Sequence, residues 1–279
     1  MNHTWTVNVW GVRGAFPAPG AAFLEYGGNT SCISVDYGSG IVIFDGGSGL
    51  PELGRCLKDR KVREVHILIS HLHIDHCLGL FPFPLFQDPH ARIHLYGGPH
   101  ENMSFRKGLE ALLGSPYWPL GLKDFPAHVD IHELLPGAGF DLAGTEGSSH
   151  PITIRTLAGN HPGQSMLYRM SQNDKSVIYA LDCELDKPME HSLAEFAQGG
   201  SLLIWDANFT EAELEAHRGW GHSTWKEGAA VRRMAGVRSA LMTHYASGHT
   251  DSFLRAQELC CREYDPASIF AREGLEIRI

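Results

Sequence analysis

Four side chains that can ligate a metal stand within six residues at His71-Leu72-His73-Ile74-Asp75-His76, directly after the apolar run Val65-His66-Ile67-Leu68-Ile69-Ser70. This juxtaposition constrains the chain more than any other feature. The run has the length of a strand, and a strand that opens into ionisable residues fits a layered α/β fold, where chemistry collects at strand C-termini. In an extended segment alternate side chains share a face, so His71 and His73 can converge on one ion. A turn after them can send Asp75 and His76 to a second point nearby. Neutral imidazole with carboxylate suits zinc, iron(II) or manganese.

One cluster cannot close two sites, so further ligands must come from elsewhere. Candidate strands ending in Asp or His recur at Asp45, Asp182, Asp206 and His244, and His161 follows another strand in Gly159-Asn160-His161-Pro162-Gly163. Each alone also reads as a cap or turn residue. Together they recur where partners for the cluster are needed, and a buried carboxylate such as Asp182 is costly unless something neutralises it.

Strands are predicted over 5–10, 31–35, 40–45, 65–70, 92–96, 152–157, 165–170, 176–181, 201–205 and 239–242. Helices are predicted over 50–57, 101–114, 211–218, 226–235 and 252–263. Residues 77–90, rich in Phe and Pro, read as loop or broken helix. Two halves of this kind suggest two sheets packed face to face with helices outside, an α/β architecture. No linker or low-complexity stretch divides residues 1–279, so one domain is expected.

With these residues in place, the chain resembles the metallo-β-lactamase-fold hydrolases, through His71-Leu72-His73-Ile74-Asp75-His76, His161, Asp182 and His244 in that order. The resemblance covers nearly the whole chain and implies a four-layer αβ/βα sandwich. It implies one divalent ion on His71, His73 and His161, a second on Asp75, His76 and His244, and Asp182 bridging them. It also implies an activated water between the ions as nucleophile, with Asp75 serving catalysis as well as ligation. Zinc is the expected metal, with manganese or iron fitting the same ligands. His rather than Glu at position 73 favours the hydrolytic branch over the redox branch, and a homodimer is expected by the same analogy.

A second motif, Gly219-Trp220-Gly221-His222-Ser223-Thr224-Trp225, precedes the helix predicted from 226. Ser223 or Thr224 suits an N-cap, which leaves the histidine to be explained. The His-Ser-Thr triplet resembles the phosphodiesterase branch of the superfamily, which includes tRNase Z and small-molecule relatives. That implies a phosphate contact and leaving-group assistance for His222, oriented by Asp206. The segments 11–14, 26–32 and 45–49 resemble bacterial cyclic-nucleotide and phosphonate-pathway phosphodiesterases. Asn29 is read as a turn former or a substrate contact, Arg13 as a phosphate ligand or a loop support, and Asp45 as a support rather than a ligand.

The expected reaction is therefore hydrolysis of a small phosphodiester. The alternatives are a lactone, lactam or thioester hydrolase, a tRNA 3′-processing endonuclease, and a metal-binding accessory protein without turnover. A net charge of −9 disfavours a long nucleic acid, whose affinity rests on phosphate contacts. Only 20 residues lie between His161 and Asp182, and no Gly- and Lys-rich arm appears from 182 to 222. The six cysteines form no C-x-x-C pair; Cys77 and Cys183, beside metal-site residues, are expected to pack rather than ligate. Hydrophobic residues make up 43%, without a membrane-length run or a signal-peptide pattern, so a cytoplasmic location is expected. Residues 101–150 carry no motif and are expected to wall the pocket, with Tyr117 and Trp118 lining it.

Overall fold

The computed structural model describes residues 4–145 and 150–279. Two seven-stranded sheets form its centre. From edge to edge the first runs Glu276–Arg278, Thr6–Gly11, Cys32–Asp36, Ile41–Phe44, Glu64–Leu68, Arg92–Gly97 and His128–Glu133. The second runs Ser268–Phe270, Ser239–Thr243, Leu202–Asp206, Lys175–Ala180, Ser165–Gln172, Ile152–Gly159 and Gly139–Leu142. Each sheet is parallel in one half and antiparallel in the other.

The strands at the middle of each sheet are apolar on both faces, as layers covered on both sides require. Ile41–Phe44 and Leu202–Asp206 are buried at every residue. One core lies between the sheets and includes Phe44 stacked on Tyr179, with ring centroids 4.9 Å apart. A second core lies on the outer face of the first sheet, where helix Leu50–Asp59 turns Leu50, Leu53, Gly54 and Leu57 inward at helical spacing. Helices Lys187–Ala197 and Trp225–Met234 pack on the second sheet. The result is the expected α/β, four-layer αβ/βα sandwich.

Several edges differ from the expectation. Strands His128–Glu133, Gly139–Leu142, Ser268–Phe270 and Glu276–Arg278 and helix Lys187–Ala197 lie where no element was predicted. All four strands lie at or next to a sheet margin, where partial exposure admits polar residues and blurs the hydropathy pattern. The helix predicted over 101–114 is shorter, Phe105–Leu112, because the Ser104 side chain caps it. No helix among the described residues is long and apolar enough to cross a membrane.

Candidate metal centre

The parallel strands of both sheets end on one side of the sandwich, and the ionisable residues predicted at strand ends meet there. Asp45 follows Ile41–Phe44, the 71–76 cluster follows Glu64–Leu68, and His161 follows Ile152–Gly159. Asp182 follows Lys175–Ala180, Asp206 ends Leu202–Asp206, and His244 follows Ser239–Thr243. Asp45, Asp182 and His244 each adopt a left-handed backbone, with φ of 59°, 53° and 62°. That conformation is strained for residues bearing a Cβ, and such strain clusters at functional sites. It bends the chain out of the strand direction at these three ends.

Ligand atoms of His71, His73 and His161 lie within 4.8 Å of one another, with His73 Nδ1 and His161 Nε2 3.2 Å apart. Asp75, His76 and His244 form a second such group. Asp75 Oδ2 stands 3.2 Å from His76 Nε2 and 3.3 Å from His244 Nε2. Asp182 spans both groups. Its Oδ2 is 3.2 Å from His76 Nε2 and 3.3 Å from His244 Nε2, while Oδ1 is 3.9 Å from His161 Nε2. His71 Nε2 is buried without a hydrogen-bond partner among the described residues, and His76 Nε2 and Asp182 Oδ2, 3.2 Å apart, are buried without a well-formed hydrogen bond. Buried polar atoms left in this way would be expensive in a protein that held nothing there. The donor set, imidazole and carboxylate in two adjoining groups, fits two divalent ions.

Nearby groups fix the ligands. Asp45 Oδ2 lies 2.6 Å from His76 Nδ1 and accepts from the Tyr179 hydroxyl (2.7 Å) and Ser70 Oγ (2.9 Å), while Oδ1 accepts from Ser70 N–H (2.6 Å). This carboxylate holds the His76 ring from behind and leaves Nε2 toward the site. Asp45 thus holds the candidate ligand His76 in position. His161 Nδ1 is held by the Gly221 carbonyl at 3.0 Å. Only glycine permits that approach: a Cβ at position 221 would stand 2.1 Å from His161 Nδ1, and φ is +85°. Asp75 Oδ2 accepts from Ala15 N–H at 2.8 Å. Burial works against the ionised Asp182 carboxylate, but the adjacent His244 and His76 outweigh it and hold its pKa well below the usual range.

His222 sits at the margin of both groups, its ring centroid 5.3 Å from those of His161 and His244. Its Nδ1 lies 2.8 Å from Asp206 Oδ2, the pairing expected from the sequence. Burial lowers the His222 pKa, but the charges of Asp206 and Asp182 more than compensate, and it is raised above the ordinary value. Asp182, Asp206, His222 and His244 also approach one another closely. The 2.8 Å contact between Asp206 and His222 is a hydrogen bond, so a proton rather than an ion occupies that gap. The other residues of the triplet are structural. Thr224 caps helix Trp225–Met234 in a reciprocal box with Glu227, and Ser223 Oγ donates to the Cys183 carbonyl at 2.5 Å.

The remaining expectations divide. Arg13 is fully buried and donates to the Gly27 and His249 carbonyls at 2.7 and 2.6 Å, so it supports loops and is not offered to phosphate. Asn29 is held through Nδ2 by Glu273 at 3.0 Å and accepts from Ser48 Oγ, again a loop role. Cys77 and Cys183 are fully buried, their thiols pushed up by burial, and among the described residues neither joins a group of metal-binding geometry. Of the 101–150 stretch, residues between 103 and 118 form a wall of the pocket, the described residues from 119 on do not line it, and 146–149 lie outside the described residues. A cavity of about 830 Å³ opens beside the histidines, lined by Leu72, Ile74, Phe81, His100, Met103 and Trp118, with Tyr117 also at its surface. His100, not anticipated from sequence, brings its ring within 5.4 Å of His73. Ser70, Tyr179 and Gly221 were missed as well; only their long-range contacts reveal them.

Comparison with known proteins agrees with this geometry. The beta-lactamase superfamily domain matches residues 42–245. An uncharacterized protein of Mycobacterium tuberculosis (strain ATCC 25618 / H37Rv) is 26% identical over 240 residues, covering 81% of this chain and 74% of its own. Ribonuclease Z of Haloferax volcanii is 25% identical over 269 residues, covering 77% and 78%. Among solved structures, the metallo-beta-lactamase fold protein YhfI from Bacillus subtilis superposes with a TM-score of 0.73 at 21% identity, covering 99% of this chain and all of that one. With the family match running from the hairpin before the histidine cluster through His244, the chain belongs to the beta-lactamase superfamily as a metallo-β-lactamase-fold hydrolase.

Proposed function

We propose that this protein hydrolyses a small phosphodiester with the help of two divalent ions, zinc first among them. His71, His73 and His161 would hold one ion, Asp75, His76 and His244 the other, with Asp182 between. Bound there, the ions would supply positive charge for the reacting phosphoryl group and a water acidified toward neutral pH. Asp75, itself one of the groups that would hold the second ion and fixed by Ala15 N–H, would also orient that water.

The observation that carries the phosphodiester reading is the His222–Asp206 pair at the margin of the centre. Asp206 occupies Nδ1, so Nε2 is the nitrogen available to a substrate. A protonated His222 can bind a phosphoryl oxygen and pass its proton to the departing alkoxide. Hydrolysis of a lactam or lactone does not by itself call for this added acid. The adjoining cavity suits an apolar or aromatic substituent on the phosphodiester, since its walls are largely apolar and its volume is that of a small-molecule pocket. Several curated relatives carry the name ribonuclease Z, which makes RNA the rival substrate; the net charge of −9 favours the small one.

The test uses zinc-loaded protein with bis-p-nitrophenyl phosphate, nitrocefin, an acyl lactone and a tRNA precursor. Phosphodiester turnover is expected, with His222→Ala retaining both ions and losing roughly 10²–10⁴-fold in rate. Turnover of nitrocefin or the lactone alone would refute the phosphodiester reading, and an unchanged His222→Ala rate would remove His222 from the chemistry.

A further inference from the structure

A second histidine cluster lies on the first sheet, away from the strand ends. His66 and His94 are direct partners on adjacent parallel strands, and Asp130 is the partner of His94 on the next. Glu64 stands two residues before His66 and His132 two after Asp130, so strand alternation puts all five side chains on one face. The His66 and His94 rings stack with centroids 4.7 Å apart, and His94 Nε2 is 3.2 Å from Glu64 Oε1. One donor atom from each of Glu64, His66 and His94 lies within 4.8 Å of the other two.

From this placement we propose that Glu64, His66 and His94 bind a further divalent transition-metal ion, Zn²⁺ or a similar borderline cation. The ligand nitrogens are selected by what holds the other side of each ring. His66 Nδ1 meets the Tyr96 hydroxyl at 3.1 Å, and His94 Nδ1 meets His132 Nε2 at 3.2 Å and Asp130 Oδ2 at 3.5 Å. That leaves Nε2 of both rings for the ion, with a hydroxyl, a carboxylate and a third imidazole behind them, the usual support of a metal-bound histidine. Burial and the neighbouring His94 lower the His66 pKa to about 4, so its imidazole is neutral at physiological pH, as a ligand must be. Donors around tetrahedral zinc stand roughly 3.3–3.6 Å apart. The Glu64 side chain, 62% exposed, has the freedom to close the remaining gap. Two imidazoles and a carboxylate leave the fourth position to water, so the site would be exchangeable. It would clasp two adjacent strands and, through Asp130 and His132, engage the edge strand His128–Glu133.

The proposal does not depend on the reaction catalysed. After chelator treatment and dialysis, the protein is titrated with Zn²⁺ by calorimetry, and bound zinc is counted by plasma emission after equilibrium dialysis. The parent is expected to take up one equivalent more than His94→Ala, while His94→Ala hydrolyses substrate at the parent rate. Glu64→Gln, a change at an exposed side chain that leaves the fold intact, is expected to weaken the same equivalent at least tenfold. Asp130→Asn, acting from behind His94, should weaken it by roughly 10–100-fold. Equal zinc uptake and affinity in the parent, His94→Ala and Glu64→Gln would overturn the site.

Discussion

The histidines at 66 and 94 lie on one strand and its neighbour, and those at 71 and 76 follow the end of the first of these strands, yet their ring nitrogens are used differently. Among the described residues the Nε2 of His71 is buried without a partner and that of His76 faces Asp75 and Asp182 at 3.2 Å without a well-formed hydrogen bond, while Ser70 and Asp45 lie at the opposite nitrogens. Both nitrogens of His94 have protein partners, and its Glu64 neighbour reaches into solvent. The deep cluster leaves polar atoms that a cation could satisfy. In the outer one His94 is hydrogen-bonded on both sides, and the His94–Glu64 contact would be exchanged for bonds to an ion. Orphaned donors, rather than the number of histidines, distinguish a committed centre from an optional one.

The strongest test of that contrast is Asp182→Ala. Removing the carboxylate that spans both groups should reduce hydrolysis to background and strip zinc from the deep centre, while zinc uptake at the outer cluster stays as in the parent; plasma emission with a rate assay reads both. Next comes Asp45→Asn, which keeps the shape behind His76 but removes the charge. It should weaken metal binding by roughly 10–100-fold, measured by competition with a chromophoric chelator. Undiminished affinity would mean that the Asp45 network is scaffolding only. Phe81→Ala should cost roughly tenfold in kcat/KM for an aryl phosphodiester relative to its methyl analogue, the scale of a lost apolar contact. A parallel loss on both substrates would separate the cavity from substrate selection.

The smallest effect concerns acidity at the outer cluster. The folded-state pKa of His66 is depressed to about 4, below the ordinary value of 6.5. The unfolded chain therefore binds the extra proton first as pH falls. The stability from a neutral His66 is present above about 6.5 and is lost on descending toward 4. In metal-free protein, urea midpoints of the parent should decline over that window more steeply than those of His66→Gln. Identical slopes would sink this account.

Much of the deep centre was legible because its residues punctuate strong signals. His71 to His76 are nearly contiguous, and Asp182, Asp206 and His244 end apolar runs whose strand character is plain. Asp45 was readable as a support for the same reason. Tyr179 was not, since its bond to Asp45 joins residues 134 apart and nothing local marks it. The outer cluster was invisible for a similar reason: His66, His94 and Asp130 lie on separate strands, and only register brings them abreast. The margin strands escaped because half-exposed residues such as those of His128–Glu133 carry little hydropathy contrast.

The left-handed backbone at Asp45, Asp182 and His244 has a consequence for how much change this chain can absorb. Glycine would sit comfortably at each position, whereas a residue with a Cβ costs about 1–2 kcal/mol there. Three such positions would consume a sizeable part of the roughly 5–15 kcal/mol that keeps a domain folded. Ions bound only by the folded form return stability, about 2.7 kcal/mol each at a hundredfold excess over Kd. If the proposed ions bind there, the mutational tolerance of the sandwich is tied to metal supply: a core substitution tolerated by the metal-loaded protein would be expected to unfold the metal-free one.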